Sequence, residues 1–115
     1  MNITVIVNEA PWGSGLASAA LRLAKACIAG DVGLAAAYFR DEAVYLAVPG
    51  RAADPGAPDL RADWLELSRT HGFPLLLCSS AAQRRLPEPP GEGFREAGLA
   101  EVLEMIAASD RVVTF

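Results

Sequence analysis

Pro74-Leu75-Leu76-Leu77-Cys78-Ser79-Ser80-Ala81-Ala82 (PLLLCSSAA, residues 74–82) is the stretch that decides the fold. Its short apolar run reads as a strand buried on both faces. Ser79, Ser80 and the two alanines follow at once and make a good helix opening. A buried strand that feeds straight into a helix is the repeating unit of a parallel α/β sheet, because parallel strands need long crossovers.

The same alternation recurs on both sides. Upstream, Ile3-Thr4-Val5-Ile6-Val7 is a β-branched run expected to be a strand buried on both faces. The turn-rich loop 8–15 (NEAPWGSG) follows, and Ser14 is the expected N-cap of a helix running to about Ala29, closed by Gly30. Leu34 to Phe39 reads as a second strand, although its three alanines are weak strand formers. Asp41 and Glu42 favour a short helix start carrying Val44 and Tyr45. Residues 49–59 (PGRAADPGAPD) read as a surface loop. Asp59 caps an expected helix from Leu60 to His71 that buries Leu60, Trp64, Leu67 and Leu65, and Gly72 stops it.

Downstream, residues 87–93 (PEPPGEG) form a second loop, with room for a short strand near Phe94. Leu99, Val102, Leu103 and Ile106 show the spacing of an amphipathic helix. Asp110 to Phe115 reads as a last buried strand. The expected fold is therefore one domain, residues 1–115: a three-layer α/β/α sandwich of flavodoxin-like kind with a mainly parallel sheet of four to five strands.

Bulk composition narrows the function. The chain has 115 residues, is 52% hydrophobic, and carries a formal net charge of −4 without basic clusters. That disfavours direct binding to nucleic acid or anionic membrane, which requires grouped cations. No run approaches the roughly 20 apolar residues of a membrane span. The N-terminus lacks the features of a signal peptide, so the expectation is a cytoplasmic protein. Two cysteines and one histidine are too few for a disulfide scaffold or a Cys/His metal cluster.

Reactive groups in open α/β sheets gather at the carboxyl ends of the strands. Cys78 ends a strand and precedes a helix, where free N–H groups and the helix dipole favour the nucleophilic thiolate. Arg84 and Arg85, one to two turns on, are further candidate sources of positive potential. On position alone, Cys78 reads either as an activated thiolate or as an ordinary core cysteine. Cys27 lies late in the first helix, roughly 20 Å from that helix's start and near the opposite edge of the sheet. A disulfide requires Cα atoms within about 7 Å, so a Cys27–Cys78 bridge is not expected. His71 belongs at the amino edge, on the order of 13 Å from Cys78, which removes it as a general base. The Pro11–Gly15 loop reads as a tight turn with a helix cap or as a phosphate-binding loop. It lacks Walker and G-x-G-x-x-G spacing, and its serines are sparse for a flavin site.

Several of these segments, in this order, resemble the TusD/DsrE family of sulfur-relay proteins. The similar stretches are Ile3–Val7 with Pro11-Trp12-Gly13-Ser14 and Ala17-x-x-Ala20-Leu21-x-x-Ala24, then Phe39-x-x-Glu42-Ala43-Val44-Tyr45. They continue with His71-Gly72-x-Pro74-Leu75-x-Leu77-Cys78, Ala81-Ala82 and Arg84-Arg85, and end with Asp110-Arg111-Val112-Val113-Thr114-Phe115. The resemblance implies a subunit of a hetero-oligomer of the TusBCD or DsrEFH kind, beside sister TusB/TusC-type (DsrH/DsrF-type) subunits. It implies that Cys78 accepts sulfane sulfur from a TusA-type donor and passes it to a TusE/DsrC-type acceptor, for tRNA 2-thiouridine synthesis or sulfur oxidation. Thiol–persulfide exchange of that kind has no obligatory metal, flavin or other cofactor. The stretch between Arg85 and Leu99 is shorter and richer in proline than is usual in the family, which bears on partner choice. Two other readings remain at this point: a non-catalytic assembly subunit of such a complex, and a flavodoxin-like small-ligand binder.

Overall fold

The computed structural model describes residues 1–12, 15–49 and 59–115. In chain order the elements are β1 (Asn2–Val7), α1 (Gly15–Ala29), β2 (Gly33–Phe39), the 3-10 turn η1 (Asp41–Ala47), α2 (Leu60–His71), β3 (Leu75–Cys78), α3 (Ser79–Arg85), β4 (Phe94–Ala97), α4 (Leu99–Ala108) and β5 (Arg111–Thr114). The five strands form one sheet in the order β4-β3-β2-β1-β5, and every neighbouring pair is parallel. This is the expected α/β/α architecture, with the possible strand near Phe94 present as β4.

Connection handedness divides the helices between the two faces. The steps β1 to β2, β2 to β3 and β3 to β4 all move the same way along the sheet, so right-handed crossovers put their helices on one face. The return from β4 to β5 runs the other way and carries α4 to the opposite face. The first face holds the larger core: Val5, Val7, Ala37, Phe39, Leu75 and Leu77 meet Ala20, Leu21 and Ala24 of α1 and Leu60 and Trp64 of α2. Trp64 packs edge-on against Phe39 and Phe73, with ring centroids 5.5 and 6.5 Å apart. On the second face Ile6, Ala36, Tyr38, Leu76 and Ala97 pack under Val102, Met105 and Ile106 of α4. The weak strand-forming alanines of β2 are explained by this position. Ala36 and Ala37 point to opposite faces of an inner strand and are both fully buried, so small side chains let the covering layers come close.

Local signals act as expected at α2: the Asp59 carboxylate accepts from the Ala62 N–H at 3.1 Å, and Gly72 closes the helix with φ +74°. The expected cap at Ser14 lies outside the described residues, as does most of the 49–59 loop.

Three expectations need correction. The last strand is not buried: β5 is an edge strand, and Arg111, Val112 and Thr114 are exposed. The backward crossover places β5 outside β1, with no further strand beyond it among the described residues. The stripe on α4 is not wholly turned inward either, since Leu99 is 73% and Leu103 55% exposed while Val102 is buried. A single helix crossing five strands contacts the sheet along a narrow line, which Val102, Met105 and Ile106 occupy. In α2, Leu65 and Leu67 are only partly buried. The end of α4 is tied to β1 by polar contacts: the buried Thr4 hydroxyl lies 2.6 Å from Ser109 Oγ, which itself donates to the Met105 carbonyl at 2.8 Å.

Candidate thiol site

Cys78 is the last residue of β3 and the N-cap of α3. It is half-buried, its strand neighbour on β4 is Ala97, and its thiol is free. Its side chain makes no capping hydrogen bond. The thiolate is a far better acceptor, and the N–H groups of Ala81 and Ser80, at the N3 and N2 positions of α3, are placed to donate to it.

A second donor comes from β2. Tyr38 pairs with Leu76, so it shares a face of the sheet with Leu76 and Cys78 and sits diagonally beside the cysteine. Its hydroxyl is placed to donate to the Cys78 sulfur. Arg40 follows just after β2, exposed at the same carboxyl edge, with its backbone N–H donating to the Val7 carbonyl at 2.9 Å.

Burial is the largest single influence on Cys78 and opposes ionisation. The Ala81 N–H, the Tyr38 hydroxyl, the Ser80 N–H and the Arg40 charge together outweigh it, and the thiol pKa lies below its ordinary value. Tyr38 moves the other way, pushed up to about 12 by burial first, then by its hydrogen bond to Cys78 and the charge of that sulfur; Asp41 adds to the rise and Arg40 opposes it. A tyrosine held protonated beside a cysteine whose ionisation is favoured is a donor–acceptor pair suited to sulfur chemistry.

Cys27 is buried in α1 within the larger core, far along the helix from the carboxyl edge, and is also free. His71 is exposed in the last turn of α2 and precedes β3, at the amino end of the strand that Cys78 closes. Arg84 turns its Nε back to the Ser80 carbonyl at 3.3 Å, and Arg85 sits in the last turn of α3; the cation that favours the thiolate is Arg40. Of the described part of the Pro11–Gly15 loop, Trp12 is 46% exposed and stacks obliquely near Tyr45, with ring centroids 5.7 Å apart. A shallow cleft of about 200 Å³, counting open solvent at its mouth, is lined by Val7, Glu9, Pro11, Phe39, Leu46 and Trp64 on the face away from Tyr38. Among the described residues, no helix is long and apolar enough to cross a membrane, and no group of three or more His, Cys, Asp or Glu is placed to hold a metal ion.

Tyr38 and Arg40 were not among the residues singled out from the sequence. Each lies at the end of a recognisable strand, which is a usable signal. What joined them to Cys78 was the pairing of β2 with β3 and the Phe39–Leu77 register, neither of which a single sequence displays.

Fold and site together define a small parallel α/β protein with a half-buried thiol of lowered pKa at the carboxyl edge of its sheet. The chain belongs to the DsrE/DsrF-like family, whose model matches residues 1–115. It is 31% identical to sulfurtransferase TusD of Cronobacter sakazakii and 32% identical to sulfurtransferase TusD of Salmonella newport, with the whole of each chain covered. Those alignments run over 128 positions against the 115 residues here. Among solved structures, the ychN protein of E. coli superposes with a TM-score of 0.85 at 25% identity, covering 99% of this chain and 98% of that one.

Proposed function

We propose that this protein is a sulfur-relay subunit whose Cys78 carries sulfane sulfur as a persulfide. Sulfur transfer as the activity rests on the full-length likeness to TusD sulfurtransferases. The assignment of the sulfur to Cys78 is supported by one observation above the others: its half-buried thiol lies under hydrogen-bond donors that favour the thiolate. The Cys78 thiolate attacks the outer sulfur of a donor persulfide, one S–S bond forms, another breaks, and the donor thiolate leaves. The acceptor thiolate then attacks the outer sulfur on Cys78 and releases the Cys78 thiolate. Neither step changes the count of electrons or needs a separate base once the attacking thiols are ionised.

Membership of the family points to work in a complex with partners. The finer reading is a hetero-oligomer with TusB/TusC-type (DsrH/DsrF-type) sister subunits, a TusA-type donor and a TusE/DsrC-type acceptor, in the cytoplasm. The shared sulfur chemistry serves tRNA thiolation and sulfur oxidation equally.

The test is an intact mass spectrum under non-reducing conditions after exposure to a protein persulfide donor. Wild type and Cys27→Ser gain one reducible sulfur atom, and Cys78→Ser gains none. Equal gain by Cys78→Ser, or no gain by wild type, would instead make the chain a scaffold subunit.

A further inference from the structure

We propose that Tyr38 is a second catalytic residue of this site, its hydroxyl donating to the Cys78 sulfur so as to favour release of the transferred sulfur over its capture. The inference rests on the persulfide reading above and assigns a direction to that chemistry.

The placement is built into the sheet. Tyr38 and Cys78 lie on adjacent inner strands, on the same face, one diagonal step apart, and Tyr38 is 7% exposed. Tyr38 is packed in one apolar cluster with Ile6, Ala36, Leu76, Ala97 and Val102, and Cys78 packs against that cluster, so the ring is fixed beside the cysteine. Other described groups surround this pair. From β2 and η1 come Arg40 and, acting on Tyr38, Asp41; from α3 come the Ser80 and Ala81 N–H groups; β4 pairs uncharged Ala97 with Cys78, and apolar Met105 and Ile106 of α4 pack against the same cluster. Among the described residues, Tyr38 is therefore the side-chain hydroxyl that acts on the sulfur. With its own ionisation pushed up to about 12, it remains a donor throughout the working pH range.

A donor at the sulfur has opposite effects on the two half-reactions. In capture, Cys78 thiolate plus donor persulfide gives Cys78 persulfide plus donor thiolate. A hydrogen bond spreads the attacking charge and lowers intrinsic nucleophilicity. In release, acceptor thiolate plus Cys78 persulfide gives acceptor persulfide plus Cys78 thiolate. Here the charge develops on the sulfur to which Tyr38 donates, and the same hydrogen bond stabilises the leaving group. Removing the hydroxyl should accelerate one step and slow the other, a pattern that loosened packing does not produce.

Tyr38→Phe keeps the ring and removes only the donor. A hydrogen bond to a charged group of ordinary strength moves a thiol pKa by about one unit. The midpoint of the iodoacetamide alkylation profile of Cys78, measured in a Cys27→Ser background, should accordingly rise by about one pH unit. At a pH above both midpoints, sulfur capture from a small-molecule persulfide becomes about threefold faster, and release to a small thiol about threefold slower. An unshifted alkylation midpoint, or capture and release that change in the same direction, would overturn the assignment of Tyr38 even with Cys78 loading normally. Failure of wild type to load sulfur, with the midpoint still shifted, would overturn the relay reading and leave the hydrogen bond in place.

Discussion

The two faces of the sheet are built to different densities. Among the described residues, twenty-two buried side chains form the core on the α1–α2 face, against six on the α4 face. Cys27 lies wholly in the first cluster, whereas Cys78 touches both clusters from the edge, and Tyr38 belongs to the second. Stability is concentrated on one face and the candidate chemistry on the other. A deeply packed thiol is inert, because burial disfavours its charged form and partners cannot reach it. A thinly covered one, given hydrogen-bond donors, keeps both charge and access.

The contrast can be tested, beginning with the largest expected effect. Trp64 is 1% exposed at the centre of the thick face, between Phe39 and Phe73. Trp64→Ala should cost about 3–5 kcal/mol of unfolding free energy in urea titration. Loss of less than about 1 kcal/mol would mean that this face is not the main store of stability. On the thin face, Val102→Ala removes two carbons from the only buried residue of α4 and should cost about 1.5 kcal/mol, read from the same titration. A loss as large as that of Trp64→Ala would erase the asymmetry. The smallest effect belongs to Arg40, which is exposed, so its charge acts on Cys78 through solvent. Because Arg40 lowers the thiol pKa, Arg40→Gln should move the alkylation midpoint upward, by roughly a few tenths of a pH unit at low salt and by less at high salt. In wild type the midpoint lies below that of an unperturbed thiol, so reactivity persists below pH 9 and is lost as pH drops through the lowered pKa.

Much of this was legible in the sequence. Asp59, Gly72 and the Pro74–Cys78 run marked their element boundaries because caps and buried strands are local: their signals lie within a few residues of the structure they make. The position of Cys78 at a strand-to-helix junction was equally local. The α4 stripe misled because hydrophobic spacing shows that a helix has an apolar face, while the sheet decides how much of that face is covered; Leu99 and Leu103 are left outside. β5 misled for a related reason. Val112 and Val113 look like interior strand residues, and only the backward crossover makes theirs the edge.

By itself, then, the sequence determined the alternation of strands and helices, the parallel sheet and the one cysteine at its carboxyl edge, since each follows from residue type and spacing along the chain. Tertiary structure alone decided which strands are neighbours, and with that the approach of Tyr38 and Arg40 to a sulfur some forty residues away in the chain. Strand register is set by the packing of whole faces, so the environment that favours the thiolate is a property of the folded sheet.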